Sequence, residues 1–140
     1  MPKTKEFSVH LKDEPGTLAK ACRALADAKV NILAFQTIPW EEGESVVRLV
    51  TDNPTTAKSV LKQQKLRHTE AEVVRVKLPN RPGELARVAS QLGEAGININ
   101  YAYGGGERGT NAPLLIFGVA EVSRAVKILD KAVATAAAGA

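Results

Sequence analysis

The sequence predicts an α+β fold built twice over: two βαββαβ units in tandem, each an antiparallel sheet with helices on one face. Three observations carry this. The chain repeats itself at a constant offset. Within each repeat, apolar residues recur with strand spacing and then with helix spacing, in the order strand, helix, strand, strand, helix, strand. The length of 140 residues leaves room for two small cores of the kind that bury surface against each other.

The repeat comes first. Residues 9–32 align with residues 76–99 without a gap, at an offset of 67 (76 − 9 = 67). Val9/Val76, Leu11/Leu78, Pro15/Pro82, Gly16/Gly83, Leu18/Leu85, Ala19/Ala86, Leu25/Leu92, Ala28/Ala95, Asn31/Asn98 and Ile32/Ile99 are identical. Lys20/Arg87, Asp27/Glu94 and Val30/Ile97 are near-matches. Chance does not place Pro-Gly, Leu-Ala and Asn-Ile in register twice, so the chain is a duplication.

The elements follow in order. Phe7 to Lys12 alternates apolar and polar residues, as does Val74 to Leu78, and each reads as a half-buried strand. Asp13-Glu14-Pro15-Gly16 and Asn80-Arg81-Pro82-Gly83 are helix-start punctuation. Leu18, Ala21, Cys22, Leu25 and Ala28 then recur at helical spacing, as do Leu85, Val88, Ala89, Leu92 and Ala95. Gly96 is placed to stop the second of these helices. Residues 30–38 and 97–103 read as strands, and turns at 41–44 and 104–111 lead into strands at 46–50 and 114–119. Residues 55–64, opened by Asn53-Pro54, and 122–133 read as helices. Residues 69–74 form a strand that runs almost directly into the second copy.

This order is the split βαβ, or ferredoxin-like, pattern, whose usual strand order is 4-1-3-2. Joined side by side, two such units give a sheet of about eight strands. The expected domains are 1–73 and 74–140. The second copy departs at its end: residues 134–140 are almost all Ala and Gly, which sheets disfavour, so either the last helix continues or the final strand is vestigial. Strand 1 of copy two is then expected to have an open edge.

Composition excludes several classes. The chain is 44% hydrophobic and no apolar run approaches the roughly 20 residues of a membrane span, so no membrane association is expected. No apolar stretch follows the charged Met1-Pro2-Lys3-Thr4-Lys5, so no secretory signal is expected either. Cys22 stands alone, which forbids an intrachain disulfide and fits a cytoplasmic location. The net charge of +4 comes from Lys and Arg scattered among 15 acids, and aromatics are only 4%. A base-stacking platform for nucleic acid is therefore not expected.

The loops carry more information than the scaffold. Val9-His10-Leu11-Lys12-Asp13-Glu14-Pro15-Gly16-Thr17-Leu18-Ala19, with Lys29-Val30-Asn31-Ile32 after the helix, resembles the ACT domain signature. Val76-Lys77-Leu78-Pro79-Asn80-Arg81-Pro82-Gly83-Glu84-Leu85-Ala86, with Gly96-Ile97-Asn98-Ile99, resembles it further. The resemblance spans residues 5–133. It implies a domain that binds a free amino acid at the interface between paired ACT domains and signals to a metabolic enzyme or regulator. A homodimer or a pairing with an enzyme or regulator is expected, and, because no Ser/His/Asp or Cys/His constellation stands out, no catalytic residues and no cofactor.

In serine-sensing ACT domains the Asn of Asn-x-Pro-Gly and the Asn after the first helix contact the ligand. By position these are Asn80 and Asn98 in copy two, and Asp13 and Asn31 in copy one. The expected contact set is thus Asn80, Arg81, Pro82, Gly83 and Asn98, with Asp13, Glu14, Gly16 and Asn31. The chemistry agrees: an amino acid needs donors and acceptors side by side, an Asn amide supplies both, and a helix start favours a carboxylate. Gly16 and Gly83 admit close backbone approach. Asp13 would repel a carboxylate but hold an ammonium, which makes the two copies unequal. Helix capping is the alternative role for all four Asn and Asp positions.

Other candidates weigh less. Residues 104–109 match G-x-G-x-x-G but join two strands, so a hairpin loop is expected there, with Arg108 and a lid role as the alternative. Cys22 reads as a core thiol, and His10 and His68 have no third ligand in spacing, so no metal is expected. Trp40 reads as a subunit anchor or a hairpin cover. The runner-up function is an obligate regulatory subunit of an amino-acid biosynthetic enzyme, like the acetolactate synthase small subunit, with no autonomous ligand binding.

Overall fold

The structure, a computed structural model, describes residues 3–105 and 112–138. Its elements are β1 (Lys3–Lys12), α1 (Thr17–Asp27), β2 (Ile32–Pro39), β3 (Glu44–Thr51), α2 (Pro54–Gln63) and β4 (His68–Lys77), then α3 (Glu84–Glu94), β5 (Ile99–Gly104), β6 (Leu114–Val119) and α4 (Val122–Ala138). They form two compact units. Lys5–Ala71 make one, and residues 3–4 with 72–138 make the other.

In the first unit the strand order is β2-β3-β1-β4. β3 is antiparallel to both β1 and β2, with Val9 opposite Val47 and Phe35 opposite Leu49. Strand alternation sends Phe7, Val9, Leu11, Val47 and Leu49 to one face, where they pack against Ala21 and Leu25 of α1 and Ala57, Val60 and Leu61 of α2. Both helices therefore cover the same face.

The second unit repeats this with the order β4-β6-β5. Val74, Val76, Phe117 and Val119 face Val88 and Leu92 of α3 and Ala125, Leu129 and Ala132 of α4. The tandem ferredoxin-like pattern is thus present, with helices on one face of each sheet.

Six strands form among the described residues, not eight, for two reasons. The last strand of copy one and the first of copy two are a single ten-residue strand, β4, because no turn residue separates Val73 from Val74. The Ala-rich end continues α4 to Ala138 and makes no strand. Residues 3–4 group with the second unit, where Lys3 Nζ lies 3.3 Å from Glu72.

Two leucines at helical spacing do not join the core. Leu18 and Leu85 follow the helical spacing of their neighbours, yet Leu18 is 36% and Leu85 57% exposed. They stand in the first turns of α1 and α3, ahead of Ala21 and Val88, where the helices first reach the core.

Candidate functional site

The two Pro-Gly loops are built alike, bond by bond. Glu14 N donates to Lys12 O at 2.9 Å, and Arg81 N to Pro79 O at 3.0 Å. Thr17 N and Glu84 N each reach back 3.4 Å, to Glu14 O and Arg81 O. The helices open with Lys20 N to Gly16 O at 3.0 Å and Arg87 N to Gly83 O at 2.9 Å. Gly16 and Gly83 hold φ +90°, a left-handed conformation that side chains resist, and each is the N-cap.

A glycine cap has no side chain, so α1 and α3 start without a side-chain cap bond. Helix α2 shows the contrast: Asn53 Oδ1 accepts from Thr56 N at 3.1 Å. The N-cap position falls three residues after Asp13 and Asn80, because the Pro-Gly turn intervenes. The first-turn N–H groups of α1 and α3 keep their electropositive character for another acceptor.

In the second unit this loop borders a recess of about 170 Å³. Leu78 and Leu115 give it an apolar floor, and Asn80, Arg81, Glu84 and exposed Leu85 line the wall. Gly104 closes one side at φ +135°, where a Cβ would stand 2.5 Å from the Leu114 carbonyl oxygen. Glu84 takes Arg81 Nε at 3.1 Å and Arg87 Nη2 at 2.8 Å. These bonds, Arg87 first, hold its carboxyl below the usual range against the opposing effect of desolvation, with Arg81 adding to the lowering. The recess thus presents an amide, a cation and an anion together.

The expected contact residues divide between the two ends of each unit. Asn80, Arg81, Pro82 and Gly83 are exposed at the start of α3, and the first two line the recess. Asn98 stands beyond the other end of this 11-residue helix, roughly 16 Å along its axis, and its Nδ2 donates to Asn100 Oδ1 at 2.9 Å. One unit therefore does not bring Asn80 and Asn98 together.

The first unit separates its pair the same way. Asp13, Glu14 and Gly16 are exposed at the start of α1, with Asp13 N donating to Gly43 O at 2.9 Å. Asn31 follows the far end, where its N donates to Asp52 Oδ1 at 2.9 Å and its O accepts from Asp52 N at 3.0 Å. That reciprocal pair pins the start of β2 to the end of β3, a structural role.

Glu84, Leu85, Gly104, Pro113 and Leu115 were not legible as site residues. Glu84 had a signal: it follows Gly83 directly and lies three residues from both Arg81 and Arg87. Leu85 follows it in α3, Gly104 ends β5 at the start of the Gly-rich segment, and Pro113 and Leu115 arrive just before and within β6. Of the Gly-rich segment, residues 106–109 with Arg108 lie outside the described residues.

The remaining candidates have local partners. His10 Nδ1 lies 3.1 Å from Arg67 Nη2, and its ring meets Trp40 edge-on at 6.0 Å. His68 Nδ1 bonds to Leu66 O at 2.9 Å. Cys22 is half-buried, and that burial pushes its thiol pKa up, away from nucleophilic thiolate chemistry. No described helix is long and apolar enough to cross a membrane.

The doubled loop geometry agrees with a family match that covers almost the whole chain. Residues 3–136 match the family described as the ACT domain pair. The chain belongs to the ACT domain pair family. No curated protein matches it. Among solved structures, this ACT domain pair is similar to a protein of Bacteroides thetaiotaomicron, at 23% identity and TM-score 0.84 over 93% of this chain and 88% of that one. It is also similar to the ligand-free regulatory subunit of aspartate kinase from Thermus thermophilus, at 15% identity and TM-score 0.68 over 96% and 92%. A third likeness is to E. coli aspartokinase III in complex with lysine and aspartate, at 14% identity and TM-score 0.56 over 96% of this chain and 31% of that one. These likenesses establish the shared fold.

Proposed function

We propose that this ACT domain pair is a non-catalytic regulatory module of the cytoplasm that binds a free amino acid. The observation that carries the reading is the recess at the start of α3, where Asn80, Arg81 and Glu84 meet a helix start capped only by Gly83. An amino acid carries a carboxylate beside an ammonium. Arg81, the Asn80 amide and the first-turn N–H groups suit the carboxylate, and Glu84 suits the ammonium. The recess is small, so it takes the head group and leaves the ligand side chain to be covered by a second copy of the chain, seated over exposed Leu85. Asn98, at the far end of α3, contributes only to a ligand held from another ACT unit.

The test is a thermal-shift panel of the purified chain against the twenty amino acids at millimolar concentration. A ligand present at about 100 times its Kd adds about 2.7 kcal/mol, which is readily visible. One hit, lost in Asn80→Ala and Arg81→Gln variants of normal fold, is the expected result. Silence across the panel with well-folded protein would remove autonomous sensing.

That silence would favour the second reading, an obligate regulatory subunit of an amino-acid biosynthetic enzyme. What supports it is the Thermus thermophilus regulatory subunit, a separate chain of nearly the same extent. Binding that appears only with a partner enzyme present would establish it.

A further inference from the structure

The two units share a loop but differ behind it. In the first unit a cleft of about 340 Å³ opens between the start of α1 and the end of α2, twice the volume of the recess described above. Leu11, Ala21 and Leu66 give it an apolar interior, and Lys12, Thr17, Lys20 and Gln64 stand around it. His10 also borders it, with its ring Nδ1 3.1 Å from Arg67 Nη2. Its volume is in the range of small-molecule sites, roughly 300–1,000 Å³.

In the second unit a side chain crosses between the corresponding helices. The offset of 67 puts Arg87 at the position of Lys20, and Val88 at that of Ala21 (87 − 20 = 67). Helices α2 and α4 correspond at an offset of 68, because Ala57 N bonds to Asn53 O and Ala125 N to Glu121 O (121 − 53 = 68). Ala132 is then the counterpart of Gln64. Arg87 Nη1 donates to Ala132 O at 2.9 Å, so this side chain bridges α3 and α4 where Lys20 and Gln64 border the cleft in the first unit. Val88 is fully buried beside it, and Glu84 holds the guanidinium in place.

An unfilled space in a packed unit costs stability. The first unit has kept the space, with a smaller residue at Ala21. Its charge is one-sided. The charged side chains at its rim are Lys12 and Lys20, with no carboxylate among the lining residues, and neither lysine has an ion-pair partner among the described residues. Two ammonium groups above an apolar interior attract an anion with an apolar body and repel an ammonium-bearing ligand.

We propose that this cleft is a second ligand site, for a small organic carboxylate that has an apolar body and lacks an ammonium group. Thr17 and Gln64 supply polar groups for an oxygen substituent near the carboxylate. Thr17 Oγ1 donates to Lys12 O at 2.7 Å, which leaves its lone pairs free to accept. The site is independent of the amino-acid recess at Asn80.

Hexanoate is the probe, titrated into the full chain and followed by amide NMR. Saturable shifts centred on Leu11, Lys12, Ala21, Gln64 and Leu66 are expected. Hexylammonium, with the same apolar body, is expected to leave these amides unmoved. Ala21→Val, the residue the second unit carries, should abolish the response, and Lys12→Gln with Lys20→Gln should weaken it roughly tenfold. If Ala21→Val disturbs the fold, the two exposed lysines decide the matter.

Asn80→Ala should leave hexanoate binding unchanged while abolishing any amino-acid response, so the two sites fail separately. No hexanoate response, an equal response to hexylammonium, or a response indifferent to all of these variants would overturn the proposal.

Discussion

The ring of Tyr101 on β5 lies directly over Gly118 on β6, so close that a Cβ at Gly118 would overlap the ring carbons. Tyr101 also stacks on Tyr103, with ring centroids 6.5 Å apart and 8° between planes. The matching cross-strand pair in the first unit is Ala34 and Val50. One unit joins large to small, the other small to large, and total volume is kept.

Gly118→Val is therefore expected to destabilise the chain by about 1–3 kcal/mol through overpacking. Combined with Tyr101→Ala it should recover part of that loss, because the pair then matches Ala34/Val50. Urea unfolding of both single variants and the double variant checks this. Coupling below about 0.5 kcal/mol would mean the two positions act independently.

Lys29 sits at φ +61° just past α1, where the second unit places Gly96 at φ +73°. A side chain in this left-handed conformation is strained, and glycine relieves it at some cost in unfolded-state entropy. Lys29→Gly should stabilise the chain by about 0.5–1 kcal/mol, and Gly96→Lys should destabilise it comparably. Chemical denaturation midpoints of the two variants should move in opposite directions.

The helix starts should respond to substitution in different ways. Asn53→Ala removes the cap bond to Thr56 N and should cost about 1 kcal/mol, with no effect on ligand response. Gly83→Ala meets no atom within 4 Å, so its cost is the φ of +90° alone, about 1–2 kcal/mol. Because it disturbs the loop under Asn80, it should also weaken the amino-acid response. Measuring stability and ligand shift together separates the two effects.

Acid should weaken the fold through two glutamates. Glu84 is held below the usual carboxyl range first by Arg87, against desolvation, with Arg81 adding to the lowering. Glu70 is held below it by Lys58 first and then by Lys5. A depressed folded-state pKa stabilises above the unfolded value, about 4.3, and that stabilisation is lost as pH falls through the folded value. Glu84→Gln and Glu70→Gln should thus be less stable than the parent at neutral pH and approach it as pH falls below about 4. Lys5, Lys58 and Arg81 are exposed partners, so added salt should shrink the difference. Thermal melts across pH at two salt concentrations would show it.

Much of this protein was legible in one dimension. The repeat, the order of its elements and the Pro-Gly loops that open α1 and α3 follow from spacing, because strand and helix periods are local properties of the chain. Gly96 was readable as a helix stop for the same reason. The resemblance carried by Asn80-Arg81-Pro82-Gly83 led to the recess at the start of α3.

Other features depend on where distant segments meet. Residues 68–77 form one strand, since nothing between Val73 and Val74 breaks it. Asn98 lies the length of a helix away from Asn80, so only another ACT unit can bring its counterpart near. Leu115, Gly104 and Pro113 reach the recess only because β5 and β6 pair beneath the loop. By itself, then, the sequence determined the duplicated fold and its family. The tertiary structure alone decided that Arg87 reaches from α3 to Ala132 of α4 in one unit while Lys20 and Gln64 border a cleft in the other, because these helix positions are more than forty residues apart in the chain.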